Sequence, residues 1–271
     1  MNIKFKIATK NDSLYNLIKL LEDCKNDSKS QAIAYSMDFS LKDFYSLSVE
    51  NEKLNFLSFY YDKKIKTQQK NINNFLIRLN NMVKKNIFDI ENKFKNIFGE
   101  VVKDIEVTGL LWPSMICPYN LKTNEFMVHY YDGVKKEKCM QTVLHEITHI
   151  FWWKYIDKLF KNEPENQKRH APNISWLISE LVVDSILNEN DFKKYLETEY
   201  VAYKKFYKIE INNVNVMEHL RNLYKDNKFD NFIKKTYDYV KNNENIFALY
   251  MYNEPKTHTY KTNNNEITNI L

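Results

Sequence analysis

Apolar positions recur at helical spacing through most of the chain. Leu14, Leu17, Ile18 and Leu21 repeat three and four apart behind Asp12-Ser13, which reads as a helix cap. A longer, mostly polar stretch carries the stripe Ile72, Phe75, Leu76, Leu79, Met82 and Val83. Ile87, Ile90, Phe94, Ile97 and Phe98 continue it to Gly99, which sits where a helix C-cap glycine belongs. Residues 1–98 therefore read as a helical N-terminal region. The period then changes. Val101–Trp112 alternates, with Ile105, Val107 and Leu111 on one side, and stops at Pro113. Glu125–Tyr131 is a second strand candidate, closed by the turn signal Asp132-Gly133. From about Lys136 the helical pattern returns, ending in a polar, Asn-rich tail over Lys261–Leu271. Helices, a small sheet and helices again predict an α+β fold. The expected division is 1–98 and 99–271, the latter with the sheet and its following helix over 99–160 and a helical part over 161–271.

Two of these helices carry chemistry. Glu137–Tyr155 is apolar around most of its surface, through Val143, Leu144, Ile147, Ile150, Phe151 and Trp152, yet it contains His145, Glu146 and His149 in the order HEITH. Residues four apart share a helix face, so the two imidazoles address one point, and Glu146 flanks it. Two histidines one turn apart suit zinc, and a glutamate beside them suits proton handling on an activated water. The competing reading is a buried helix with incidental histidines. The second helix follows Pro172-Asn173 and runs through Ile174, Trp176, Leu177, Ile178, Leu181, Val182, Val183, Ile186 and Leu187. Glu180 and Asp184 lie inside it. Buried carboxylates need a metal or a countercharge. A metal on His145 and His149 accounts for Glu180 as third ligand. Asp184, one turn on, could accept the free N–H of a ligand histidine. The alternative is a structural ion pair with an Arg or Lys.

Composition narrows the field. The chain has 271 residues, enough for a sizeable core. Three glycines and five prolines beside 19 Tyr and 17 Phe favour long helices with bulky packing. The net charge of +5 is spread along the chain, with no concentrated basic stripe for nucleic acid, and lysine-rich stretches such as Lys63–Lys70 read as solvated faces. Cys24, Cys117 and Cys139 are odd in number and lack CxxC spacing, which suggests free thiols in a reducing compartment. The N-terminus has no signal-type apolar core, and no apolar run is long enough to span a bilayer. The expectation is a soluble cytoplasmic protein with no membrane and no nucleic-acid partner.

HEITH and SELVVD, with thirty residues between His149 and Glu180, resemble the gluzincin metallopeptidases, the thermolysin-like zinc proteases, over roughly residues 100–190. The resemblance implies a zincin-like core, a small mixed sheet over the HExxH helix. It also implies zinc on His145, His149 and Glu180, Glu146 as general base, and Asp184 on the first ligand histidine. Where thermolysin has Asn before the third ligand, this chain has Ser179. The substrate-binding edge strand of the family would correspond to Glu125–Tyr131. The GAMEN-type motif of the aminopeptidase branch is absent. An oxyanion donor is also expected, with His170, Tyr195, Tyr200, Tyr203 and His219 as candidates, of which His219 and Tyr200 are carried forward. His129 reads as a packing residue. The function so implied is zinc-dependent hydrolysis of a peptide or protein. The alternatives are an inactive zinc-binding regulatory protein on the same fold, or a protease toxin.

Overall fold

The structure, a computed structural model, describes residues 1–23, 39–112, 117–130, 136–160, 169, 173–196, 198–252 and 259–260. The turn expected at Asp132-Gly133, Pro113, Pro172, His170, Cys24 and the Asn-rich tail lie outside them. The chain is mostly helical with a small mixed sheet, as an α+β fold requires. It forms two compact units. One comprises Met1–Glu91 and Asp104–Ile147, the other Asn92–Lys103 and Thr148–Leu271. This is not the division at residue 98. The reason is a strand the helical pattern concealed, which ties the N-terminus to residues a hundred positions later.

That strand is β1 (Asn2–Ile7). It pairs in parallel with β2 (Glu106–Trp112), which pairs in parallel with β4 (Glu125–His129); β3 (Tyr119–Asn120) closes the sheet antiparallel to β4. The order is β1-β2-β4-β3. In β1, Ile3 and Phe5 are buried and Lys4 and Lys6 exposed, a clean period of two. β2 is central, and every residue after Glu106 is buried. The one-sided alternation expected there is lost because a parallel strand between two others is covered on both faces. Val101 and Val102 fall instead in a 3₁₀ turn, Gly99–Val102. β4 is not an edge strand at its start, since β3 pairs with Glu125 and Phe126, and the Pro118 carbonyl accepts from Met127 at 2.8 Å.

Helix α1 (Lys10–Asp23) is capped at Thr9, three residues before Asp12 of the expected cap. Thr9 and Asp12 satisfy each other's backbone, Thr9 Oγ1 accepting from the Asp12 N–H at 3.1 Å and Asp12 Oδ2 accepting from the Thr9 N–H at 3.3 Å. This is a capping box. α1 buries Leu17 and Leu21 in a core with Leu41, Phe44, Leu57, Tyr60, Leu110, Trp112 and Met127. Helix α2 (Glu50–Phe98) is unbroken over its 49 residues and stops at Gly99, which takes φ +62°, the left-handed terminus expected of it. α2 also closes the sheet edge. The Asn80 amide accepts from Phe5 N–H at 3.1 Å and donates to the Phe5 carbonyl at 3.3 Å.

In the other unit, helix α4 (Ile174–Glu189) is the most enclosed element. Twelve of its sixteen residues are buried, so its neighbours must surround it. They include helices α6 (Val216–Asp226) and α7 (Phe229–Asn242). The short helix α5 (Lys193–Leu196) follows α4, and α8 (Glu244–Tyr252) follows α7. Phe94, Phe98, Phe151, Phe192 and Phe229 form an aromatic cluster, with ring centroids 4.9–5.9 Å apart along the chain of contacts. Helix α3 (Lys136–Leu159) begins in the first unit and ends in the second.

One sheet position has no room for a side chain. Gly109 stands in register between Phe5 on β1 and Phe126 on β4, whose rings meet edge to face at 6.2 Å. A Cβ at 109 would overlap the Phe5 ring. Gly109→Ala is therefore expected to destabilise by about 1–3 kcal/mol through overpacking. A urea titration reads this as a lowered midpoint at unchanged slope.

Candidate metal centre

α3 is buried on nearly all sides. Leu144, Ile147, Ile150, Phe151, Trp152 and Trp153 are core residues, so the middle of the helix is fixed by apolar packing, and His145, Glu146 and His149 are held with it. His145 keeps 18% of its side-chain surface, Glu146 8% and His149 1%. From α4, Glu180 reaches the same point. Its Oε1 lies 3.4 Å from His149 Nε2. One ligand atom each from His145, His149 and Glu180 falls within 4.8 Å of the other two. Glu146 Oε1 lies 3.9 Å from His145 Nε2. The group could hold a metal ion at its His145 side, where the remaining exposure is concentrated.

The donor set suits zinc. Two ligands about 2.0–2.1 Å from one tetrahedral ion stand roughly 3.3 Å apart, which is close to the His149–Glu180 separation. Three protein donors would leave a fourth position open, and Glu146 lies at the edge of the group, not within it.

Asp184 is placed differently from the sequence expectation. It is fully buried, but its partners are not histidines. Arg221 holds it with both arms, Nε to Oδ1 at 2.6 Å and Nη2 to Oδ2 at 3.0 Å. The Tyr207 hydroxyl donates to Oδ2, and Asn188 Nδ2 donates to the same oxygen at 3.2 Å. This is the ion-pair alternative, realised for one of the two carboxylates. Burial and the bond to Asp184 push the Tyr207 hydroxyl above the ordinary tyrosine range; the bond to Asp184 raises Arg221 further still.

Local sequence sets these partners. Asn212 and Asn213 both take positive φ, making a two-residue hairpin turn between β5 (Glu210–Ile211) and β6 (Val214–Asn215). Asn215 then caps α6, accepting from Met217 N–H at 3.0 Å and Glu218 N–H at 3.3 Å, while its Nδ2 donates to the Tyr207 carbonyl at 2.9 Å. Tyr207 and the start of α6 are thus locked together, and Arg221 follows one turn in. Pattern reading missed Arg221 and Tyr207. A signal existed: only three of the 40 basic residues are arginine, and a planar, two-armed cation is what a buried carboxylate calls for.

The weaker candidates separate. Tyr200 is buried, and its backbone exchanges hydrogen bonds with Asn188, N–H to Oδ1 at 2.9 Å and carbonyl from Nδ2 at 3.1 Å. It therefore supports the Asp184 cluster from behind. His219 lies two residues from Arg221, on the opposite face of α6, and packs on Tyr239 of α7 at 4.2 Å; burial lowers its pKa. Tyr195 packs on Phe192, and Tyr203 is half exposed. Ser179 turns back to its own helix, donating to the Trp176 carbonyl at 2.7 Å. Cys117 lies close enough to Glu146 to feel its charge. Burial first, then that carboxylate, pushes its thiol far above the ordinary cysteine range. His129 stacks on Tyr130, the packing role expected of it.

No protein-family model, no curated protein and no solved structure matches this chain. The functional reading therefore rests on its own residues.

Two outcomes follow from these environments. Arg221→Met strands a buried carboxylate and should cost on the order of 3 kcal/mol in chemical denaturation, with Arg221→Lys losing less. Burial, helped by the charge of Lys64, lowers the His129 pKa from 6.5 to about 4. On acidification the unfolded chain takes up this proton first, so stability is full above about pH 6.5 and falls between about 6.5 and 4. Tm of metal-free protein, followed across that window, should decline less steeply in His129→Gln than in the parent.

Proposed function

We propose that this protein is a zinc-dependent peptide hydrolase of the gluzincin kind. The observation that carries this reading is the convergence of His145, His149 and Glu180 from two buried helices, with Glu146 beside them. A purely structural site has no use for a base at its edge. When bound, zinc supplies Lewis acidity to a water and to the scissile carbonyl.

The chain's own residues supply the rest. His145, His149 and Glu180 present two neutral imidazole nitrogens and one carboxylate, leaving a single net negative charge among the donors. Glu146, on the His145 side, accepts the proton of the attacking water at its carboxylate and returns it to the leaving amine. Asp184 and Arg221 hold α4 so that Glu180 keeps its aim. The substrate is a peptide or protein, and the proposed setting is cytoplasmic. Among the described residues no helix is long and apolar enough to cross a membrane.

Elemental analysis of purified protein should find about one zinc per chain, sharply reduced in Glu180→Ala. Glu146→Gln should retain the zinc and lose cleavage of unstructured peptides by about 10²–10⁴-fold. Zinc unchanged in Glu180→Ala would place the third ligand elsewhere and remove the gluzincin reading. Cleavage unchanged in Glu146→Gln would remove the catalytic one.

A further inference from the structure

The long helix α2 carries an unexplained surface. Phe59 is 71% exposed, Ile77 58% and Phe88 75%. Single exposed apolar residues are ordinary. These three are not scattered. Phe59 and Ile77 are eighteen residues apart, five turns at 3.6 residues per turn, and Ile77 and Phe88 are eleven apart, close to three turns. They stand on one line along the helix. Lys63, Lys66, Lys70 and Lys84 fall on the same line within about 40°, and all four are exposed. No acidic residue lies on the line between Phe59 and Phe88. Asp62, the nearest, sits to the side and pairs with Lys10 at 2.6 Å. The whole stripe belongs to the first unit.

We infer that this face docks on an anionic lipid surface. The geometry discriminates between occupants. A partner helix in a supercoil requires apolar residues every three or four positions, with a line that drifts around the axis. Here the intervals hold lysines and asparagines, and the line stays parallel to the axis over about 44 Å. A straight contact line fits a flat surface. Two phenylalanines and an isoleucine can enter the boundary between headgroups and acyl chains, while the lysines between them reach anionic headgroups along their flexible stems. The attachment is peripheral, along the surface, and it revises the expectation of no membrane partner and of a merely solvated Lys63–Lys70. It is independent of the metal centre.

The test is flotation of the full chain with vesicles of phosphatidylcholine alone or containing about one-third phosphatidylserine, at low and high salt. Binding to the anionic vesicles only, and its loss at high salt, is the expected result. Lys66→Gln/Lys70→Gln should weaken partitioning about 25-fold, about fivefold per lysine. Phe59→Ser/Phe88→Ser should also release the protein, although no charge changes. Lys204→Glu, an exposed lysine off the helix, should bind as the parent does. Circular dichroism and Tm of these surface variants should match the parent, so loss of binding is not loss of fold. The inference is overturned if the anionic vesicles leave the protein behind, or if either stripe variant floats as the parent does. It is equally overturned if a single-stranded oligonucleotide binds in a lysine-dependent, phenylalanine-independent way while vesicles do not.

Discussion

Two carboxylates inside one enclosed helix set the terms for the second unit. α4 is apolar nearly all round, and Glu180 and Asp184 project from it one turn apart. An ionised carboxylate without a partner is not tolerated at that depth. The chain meets this demand in two ways. Asp184 receives a planar guanidinium and a phenol from segments that follow α4 in sequence, and an amide from Asn188 one turn on in α4 itself. Glu180 turns to the imidazoles of α3. The packing of α6, its asparagine cap and the hairpin before it all serve to deliver Arg221 to Asp184. A rigid α4 is in turn what gives Glu180 a defined direction.

The first unit is organised by a different constraint. Its central strand is covered on both faces, so each position along β2 must match two neighbours as well as the layers above and below. Gly109 is where that matching is tightest. The Phe5 and Phe126 rings meet across it because nothing projects between them. The core built from α1, Leu57, Tyr60 and the sheet takes Leu110 and Trp112 from β2 and Met127 from β4.

Much of this was legible from spacing. Gly99 ends α2 in the conformation its position implied, and the HEITH and SELVVD helices bring their histidines and glutamate together. Local pattern failed where the deciding partner is remote. β1 is too short to announce itself without β2, a hundred residues on. The alternation of β2 vanished because a strand's own residues do not tell whether its second face is covered. The partner of Asp184 lies 37 positions away, and His219 drew attention to α6 through its chemistry when the neighbour two residues on, Arg221, faces the carboxylate. α1 is capped at Thr9 and begins at Lys10 because a threonine and an aspartate three apart satisfy each other's backbone, an option Asp12-Ser13 did not display.

The amide of Asn80 has a wider effect than one pair of hydrogen bonds. β1 is the outer strand of its sheet, and the middle of an outer strand offers the donor and acceptor to which a strand from another molecule would add. Asn80 occupies both groups of Phe5 with the two ends of a single side chain, so it behaves as a one-residue strand that goes no further. Two lysines flank it on the exposed face of β1. At this edge the sheet is thereby terminated by the chain's own long helix, which blocks strand addition on the β1 side.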